Sequence, residues 1–150
     1  DALPIYDGSG QGLACHRIGE GRIAVIATAR RDELGVRVDR ISAVADIGRI
    51  ANIDIARQQI EGGLIYGVGL ALGSATDYAE GLPLNGRLGA LNLPVLADCP
   101  EVEVDFIESK ADPADPGELG VAVAAPAIAN ALFSATGLRF RRLPLLSEEL

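Results

Sequence analysis

The sequence predicts an α+β fold: an antiparallel sheet with two main helices packed on it. Two segments, Val36-Arg37-Val38-Asp39-Arg40-Ile41 and Glu101-Val102-Glu103-Val104-Asp105-Phe106-Ile107, alternate apolar and charged residues, the period-two mark of a strand with one wet face. The turn Asp32-Glu33-Leu34-Gly35 ties the first of these to the Ile-, Val-, Ala- and Thr-rich run from Arg22 to Arg31, and strands joined so tightly pair antiparallel. Two longer segments, Ile55 to Leu72 and Val121 to Thr136, have helical length and no strand alternation.

Residues 1–9 read as a linker, 10–146 as the folded domain and 147–150 as a tail. Leu13 to Arg17 is a short strand candidate, and Gly19-Glu20-Gly21 turns the chain into the apolar run, a buried strand. Ser42 to Ala45 prolongs the third strand inward, and Asp46 to Asn52 is a loop with ordinary Asp and Gly turn chemistry. Asp54 suits the N-cap of the first helix. Gly62, Gly63, Gly67 and Gly69 would each cost that helix about 1 kcal/mol relative to alanine. Gly63 and Gly67, four apart, present a smooth face to a neighbouring backbone or a bulky ligand, which offsets the cost. From Gly73 to Asn92 the chain is turn-rich, with room for one irregular edge strand. Glu101 to Ile107 then turns its carboxylates to solvent and its Val and Phe side chains to the core. The second helix is apolar on all sides, which implies burial, and Gly137 ends it. Leu138 to Pro144 is a basic extended segment, read as a solvated or interdomain patch.

Length and composition bound the function. A chain of 150 residues can bury a substantial core. A net charge of −8 argues against nucleic acid or an anionic membrane as partner. Two cysteines, Cys15 and Cys99, are too few for a disulfide framework or a four-thiolate metal site, and both are expected to be buried as small hydrophobes. No membrane span is expected, Gly62 to Ala75 being taken as the longest apolar stretch. The chain opens on Asp1 and contains no methionine, which suggests a piece of a longer polypeptide.

Among candidate functional residues, Glu118 stands out. It lies in Asp115-Pro116-Gly117-Glu118-Leu119-Gly120, between two glycines that allow a sharp bend and just before the apolar helix. A loop-borne carboxylate so placed can be aimed into a protected site. Partial desolvation, or a like charge from Asp112 or Asp115, would raise its proton affinity toward the range useful for proton transfer. Taken alone, such a glutamate more often caps a helix or faces water. Gln59, one turn before the smooth face, carries an amide that both donates and accepts. His16 is the sole histidine, and its neighbour Cys15 would point to the other face of a strand, so no protein metal site is expected.

Several motifs recur in one order along the chain: Gly10-Gln11-Gly12-Leu13-Ala14-Cys15-His16, Ala43-Val44-Ala45-Asp46-Ile47-Gly48-Arg49, Gln59-Ile60-Glu61-Gly62-Gly63-Leu64-Ile65-Tyr66-Gly67, Pro100-Glu101-Val102-Glu103-Val104, and Gly117-Glu118 running on to Ala125-Pro126-Ala127-Ile128-Ala129-Asn130-Ala131. Through these and the closing Arg141-Arg142-Leu143-Pro144, the chain from Gly10 to Pro144 resembles the C-terminal part of the molybdopterin-binding large subunit of the xanthine dehydrogenase/aldehyde oxidase family. These are the molybdenum hydroxylases, and within them the resemblance is to the isoquinoline 1-oxidoreductase type.

The resemblance implies the molybdenum-cofactor-binding fold of these enzymes. It places Glu118 on the catalytic glutamate, a general base, and Gln59 and Gly117 on cofactor-contacting positions. It implies a molybdenum–pterin cofactor whose metal is held by its own dithiolene rather than by side chains, and leaves open whether the pterin carries a cytosine dinucleotide. The implied partners are the remaining segments of the large subunit and an iron–sulfur subunit. The implied substrate is a small N-heterocycle or aldehyde, oxidised with oxygen from water. The chain alone is expected to be inactive, and the compartment, cytoplasmic or periplasmic, stays open. Leu119 and Ile53 stand where the family commonly has proline, Ala97 where related enzymes often have arginine, and Leu93 where an aromatic is frequent. The other reading is a noncatalytic α+β module that oligomerises through its glycine-faced helix.

Overall fold

The computed structural model describes residues 8–33 and 35–145. The expected linker, apart from Gly8 and Ser9, and the expected tail lie outside the described residues. Strand β1 spans Ser9–Ile18, so Ser9 belongs to the sheet and not to the linker, and the strand is longer at both ends than its apolar centre suggests. Strands β2 (Gly21–Asp32) and β3 (Gly35–Asp46) follow, then helix α1 (Ile53–Leu72). A two-stranded ribbon of β4 (Tyr78–Ala79) and β5 (Leu82–Pro83) occupies the turn-rich region, where one edge strand was expected. Strand β6 (Glu101–Phe106) and helix α2 (Leu119–Thr136) complete the fold.

The main sheet has the order β1-β2-β3-β6. Its first three strands pair antiparallel, as the hairpin reading requires, but β6 lies parallel to β3, with Ile41 opposite Val102 and Ala45 opposite Phe106. A parallel neighbour needs a long crossover, and α1 with the 73–100 segment supplies it. Both helices lie on one face of the sheet: α2 against β1 and β2, α1 against α2 and β6. The inner face of β2 and β3 is accordingly apolar, with Val25, Ala27, Ile41 and Ala45 fully buried. The outer face leaves Leu13, Ile26 and Val44 exposed, so β2 is buried on one side only.

Small residues set how closely the layers approach. A Cβ at Gly10 or Gly12 would overlap backbone atoms of α2, so β1 and α2 meet backbone to backbone. Between the helices, a Cβ at Gly67 would lie 2.6 Å from the Val121 carbonyl oxygen, and one at Gly120 would lie 2.7 Å from the Ile60 carbonyl oxygen. The smooth face of α1 therefore packs on α2 of the same chain, which removes the feature that suggested oligomerisation through it. Asn52, not Asp54, caps α1: its Oδ1 accepts from Ile55 N at 3.1 Å, and Asp54 sits in the first turn, where its charge favours the helix N-terminus.

Helix α2 has 18 residues and is long and apolar enough to cross a membrane, longer than the Gly62–Ala75 stretch. Here it is a core helix, with Val123, Ala127, Ile128 and Leu132 fully buried. After its Gly137 cap, the expected basic segment forms no strand. It is pinned by the buried side chains of Phe140 and Leu145 and by Leu145 N donating to Ala71 O at 2.7 Å. The cysteine expectation is overturned, since Cys15 points from the outer face of β1 and is exposed while Cys99 is half-buried. The strand alternation that places half-buried His16 on the inner face turns Cys15 outward.

Candidate functional site

The site begins with the loop after β3. Gly48 adopts φ +70°, a conformation that favours glycine, and its α-carbon faces the Asp112 carbonyl so closely that a Cβ there would overlap it. Asp46 Oδ1 accepts from Gly48 N at 3.2 Å, which holds the turn. Two backbone hydrogen bonds then join this loop to the segment leading to Glu118: Arg49 N to Ala111 O at 3.0 Å, and Ala114 N to Ile47 O at 2.9 Å. Ordinary turn chemistry, as read from the sequence, thus also clamps the polar 108–116 loop. The Asp-x-Gly spacing was the only local signal for that second role.

Beyond the clamp the chain bends again. Asp115 Oδ1 accepts from Gly117 N at 2.8 Å, so this carboxylate secures the bend next to Glu118. Glu118 occupies the N-cap position of α2, yet its side chain makes no capping hydrogen bond. Immediately after it, Leu119 is fully buried and Gly120 is pressed against α1. Glu118 is therefore fixed at the backbone on both sides while its carboxylate is exposed. The apolar enclosure expected around it is not provided by the described residues of this chain. Two bland possibilities, capping and solvent exposure, meet here, and only the exposure is realised.

Gln59 and Gly117 come together although 58 positions separate them in the sequence. A Cβ at Gly117 would sit 3.9 Å from Gln59 Oε1, and a Cβ at Gly63 would sit 3.4 Å from the Gly117 carbonyl oxygen. Gln59 is exposed, and its amide makes no hydrogen bond among the described residues. Gln59 and Gly117 thus share one edge, where the exposed face of α1 meets the start of α2, and Glu118 is the next residue in the chain. This edge offers an amide donor and acceptor and a backbone segment without a side chain, and the exposed Glu118 follows it in the chain. It is open on the solvent side, and a planar polar ligand laid against it would still need a second wall. No group of three or more His, Cys, Asp or Glu placed to hold a metal occurs among the described residues.

Arg57 was not singled out from the sequence. Its Nη1 donates to the Val104 carbonyl, and its guanidinium lies 5.7 Å from the centre of the Phe106 ring. It locks the first half of α1, and hence Gln59, to β6. A lone arginine within a helix gives no sequence signal for such a contact.

Residues 13–100 match the family model of the molybdopterin cofactor-binding domain, and the chain belongs to that family. The match includes Gln59 and ends before Gly117 and Glu118. Relatives extend the similarity. The chain is 33% identical over 110 residues to the membrane-bound aldehyde dehydrogenase of Gluconacetobacter polyoxogenes, named for pyrroloquinoline quinone, covering 73% of this chain and 14% of that protein. It is 38% identical over 123 residues to the aldehyde oxidoreductase molybdenum-binding subunit PaoC of Escherichia coli (strain K12), covering 77% of this chain and 17% of that subunit. With the isoquinoline 1-oxidoreductase subunit beta of Brevundimonas diminuta it shares 29% identity over 140 residues, 92% of this chain and 18% of that one. Among solved structures, the aldehyde oxidoreductase of Desulfovibrio gigas superposes with a TM-score of 0.75 at 27% identity, covering 83% of this chain and 14% of that one. The α+β fold of a sheet and two helices is thus that of the molybdenum hydroxylases, and the chain is a molybdopterin-binding portion related to their molybdenum-binding subunits. It spans about one sixth of the length of these relatives.

Proposed function

We propose that this chain forms one wall of the cofactor site in the large subunit of a molybdenum hydroxylase that oxidises aldehydes or N-heterocycles with oxygen from water. The observation that supports the reading is the approach of Gly117, the chain neighbour of Glu118, to Gln59, combined with the family match across Gln59. In this reading Gln59 binds a polar edge of the pterin, its free amide donating and accepting at once. Gly117 adds no side chain to the edge beside Gln59, where a Cβ would lie 3.1 Å from Asp115 Oδ1 and 3.9 Å from Gln59 Oε1. When bound, the cofactor supplies the water-derived oxygen and accepts the two electrons of the oxidation. Glu118 accepts the proton released during oxygen transfer, at a carboxylate whose backbone is held by the Asp115 hydrogen bond and the buried Leu119. Enclosure by other segments of the subunit would exclude bulk water from this carboxylate.

The partners in this reading are those remaining segments, an iron–sulfur subunit that carries the electrons away, and the small-molecule substrate. The 150-residue chain by itself is then inactive, because its edge is one wall of a site and not a cavity. The relative named for pyrroloquinoline quinone does not redirect the reading, because the family model is that of a molybdopterin-binding domain and another relative is named as a molybdenum-binding subunit. The test is metal and pterin analysis of the intact subunit alongside a Glu118→Gln variant. Retained molybdenum and pterin with turnover reduced about 10²- to 10⁴-fold is the expected result. Unchanged turnover removes Glu118 from the chemistry, and an intact subunit without molybdenum removes the whole assignment.

A further inference from the structure

Helix α1 contains one glycine whose presence this chain does not explain. Gly63 and Gly67 admit the backbone of α2, while a Cβ at Gly69 would lie 3.0 Å from the Pro94 ring, so each marks a place where polypeptide presses on the helix. A Cβ at Gly62 would meet nothing within 4 Å. An exposed helix-interior glycine costs about 1 kcal/mol relative to alanine, and at Gly62 nothing within the described chain offsets it.

The neighbours of Gly62 define a surface. Ile55, Gln59, Gly62, Tyr66 and Gly69 follow one another at spacings of four, three, four and three, which places them on one stripe of the helix. At the Gly69 end the stripe is covered by Pro94, in a segment whose flanking Val95 and Leu96 are 61% and 90% exposed. Toward the N-terminus it is bare, and Ile55 and Tyr66 are 58% and 63% exposed on either side of Gly62. Large apolar side chains bracketing a glycine form the kind of surface that takes a close-lying apolar peptide backbone.

We infer that an extended, apolar segment of the remaining large subunit lies across Gly62, between Ile55 and Tyr66, continuing the cover that Pro94 begins at Gly69. Two features select a polypeptide over a small ligand. The stripe is already covered by polypeptide at its other end, and the relatives have about five sixths of their length outside the region matched here. Because Gln59 belongs to the same stripe, this segment would border the cofactor edge and help to enclose it. The inference rests on the proposed function for the existence of that larger subunit.

The test is thiol labelling. A Gly62→Cys substitution is introduced into the 150-residue chain and into the intact subunit, and maleimide modification at position 62 is followed by peptide mass spectrometry. Labelling at least tenfold slower in the intact subunit, and still slow after the cofactor has been stripped, is the expected result. Equal rates overturn the inference. Protection that vanishes with the cofactor also overturns it, because the covering group would then be the cofactor. A Tyr66→Cys variant, which shortens the side chain, repeats the measurement in case the new side chain at 62 itself expels the segment, and the same outcomes decide. Molybdenum content of the same preparations reports separately on the proposed function, so a metal-free subunit with a protected position 62 sinks that reading and leaves this one standing.

Discussion

Gly120→Val tests the helix contact that brings Gly117, the chain neighbour of Glu118, to Gln59. A Cβ at position 120 would lie 2.7 Å from both the Ile60 carbonyl oxygen and the Leu64 nitrogen, about 0.7 Å inside the lower limit of ordinary contact at 3.4 Å. Both obstructing atoms belong to the α1 backbone, so no side-chain rotamer change relieves the overlap. The start of α2 must move away from α1 by a large fraction of an ångström. Overpacking of this kind costs about 1–3 kcal/mol, and valine recovers little helix propensity over glycine to offset it. For a chain of this size that corresponds to a loss of roughly 2–12 °C in Tm. Glu118 precedes the displaced residue by two positions, and misplacement by about 1 Å can reduce turnover on the order of 10²-fold. The assay is thermal unfolding of the chain together with turnover and molybdenum content of the intact subunit. Gly62→Ala is the control, because nothing obstructs its Cβ in the isolated chain, where the substitution should raise stability by up to about 1 kcal/mol. If Gly120→Val melts at the wild-type temperature, the helices do not approach as described and the positioning argument for Glu118 fails with it.

Other substitutions probe the supports of the site. Gly48→Ala places a side chain at φ +70° and against the Asp112 carbonyl, so it should cost about 1–3 kcal/mol and loosen the 108–116 loop. Denaturant midpoints measure the first effect and limited proteolysis within that loop the second, and a protease-resistant loop in the variant would show that the clamp lies elsewhere. Arg57→Met keeps the aliphatic bulk but loses the hydrogen bond to Val104 and the stacking over Phe106, for an expected loss of about 1–2 kcal/mol in chemical denaturation. A variant as stable as the parent would mean that the two contacts contribute nothing net. Glu118→Gln should leave the melting temperature within about 1 °C of the parent, because the side chain is exposed and does not cap its helix. A large drop would indicate a structural role in place of a chemical one.

The sequence by itself determined the elements and the family. Period-two alternation in Val36 to Ile41 and Glu101 to Ile107 placed two strands, because a strand with one wet face must alternate, and the all-apolar run after Glu118 announced a core helix. Local signals did less well where two residues compete for one role. Asn52 took the cap assigned to Asp54, and Cys15, read as core from its residue type, was turned outward by the strand phase that carried His16 inward. The parallel pairing of β6 was not legible either, because alternation marks a strand without naming its neighbour or direction. Tertiary structure alone brought candidate residues from distant segments together. Gln59 and Gly117 meet because Gly67 and Gly120 let two helix backbones come within reach of each other, and that proximity depends on packing between segments far apart in the chain, which no local pattern encodes. The bareness of Gly62 was equally a tertiary fact. Spacing marked Gly63 and Gly67 as a packing face but did not distinguish Gly62 from Gly69, and only their surroundings separate the one covered by Pro94 from the one that faces open space.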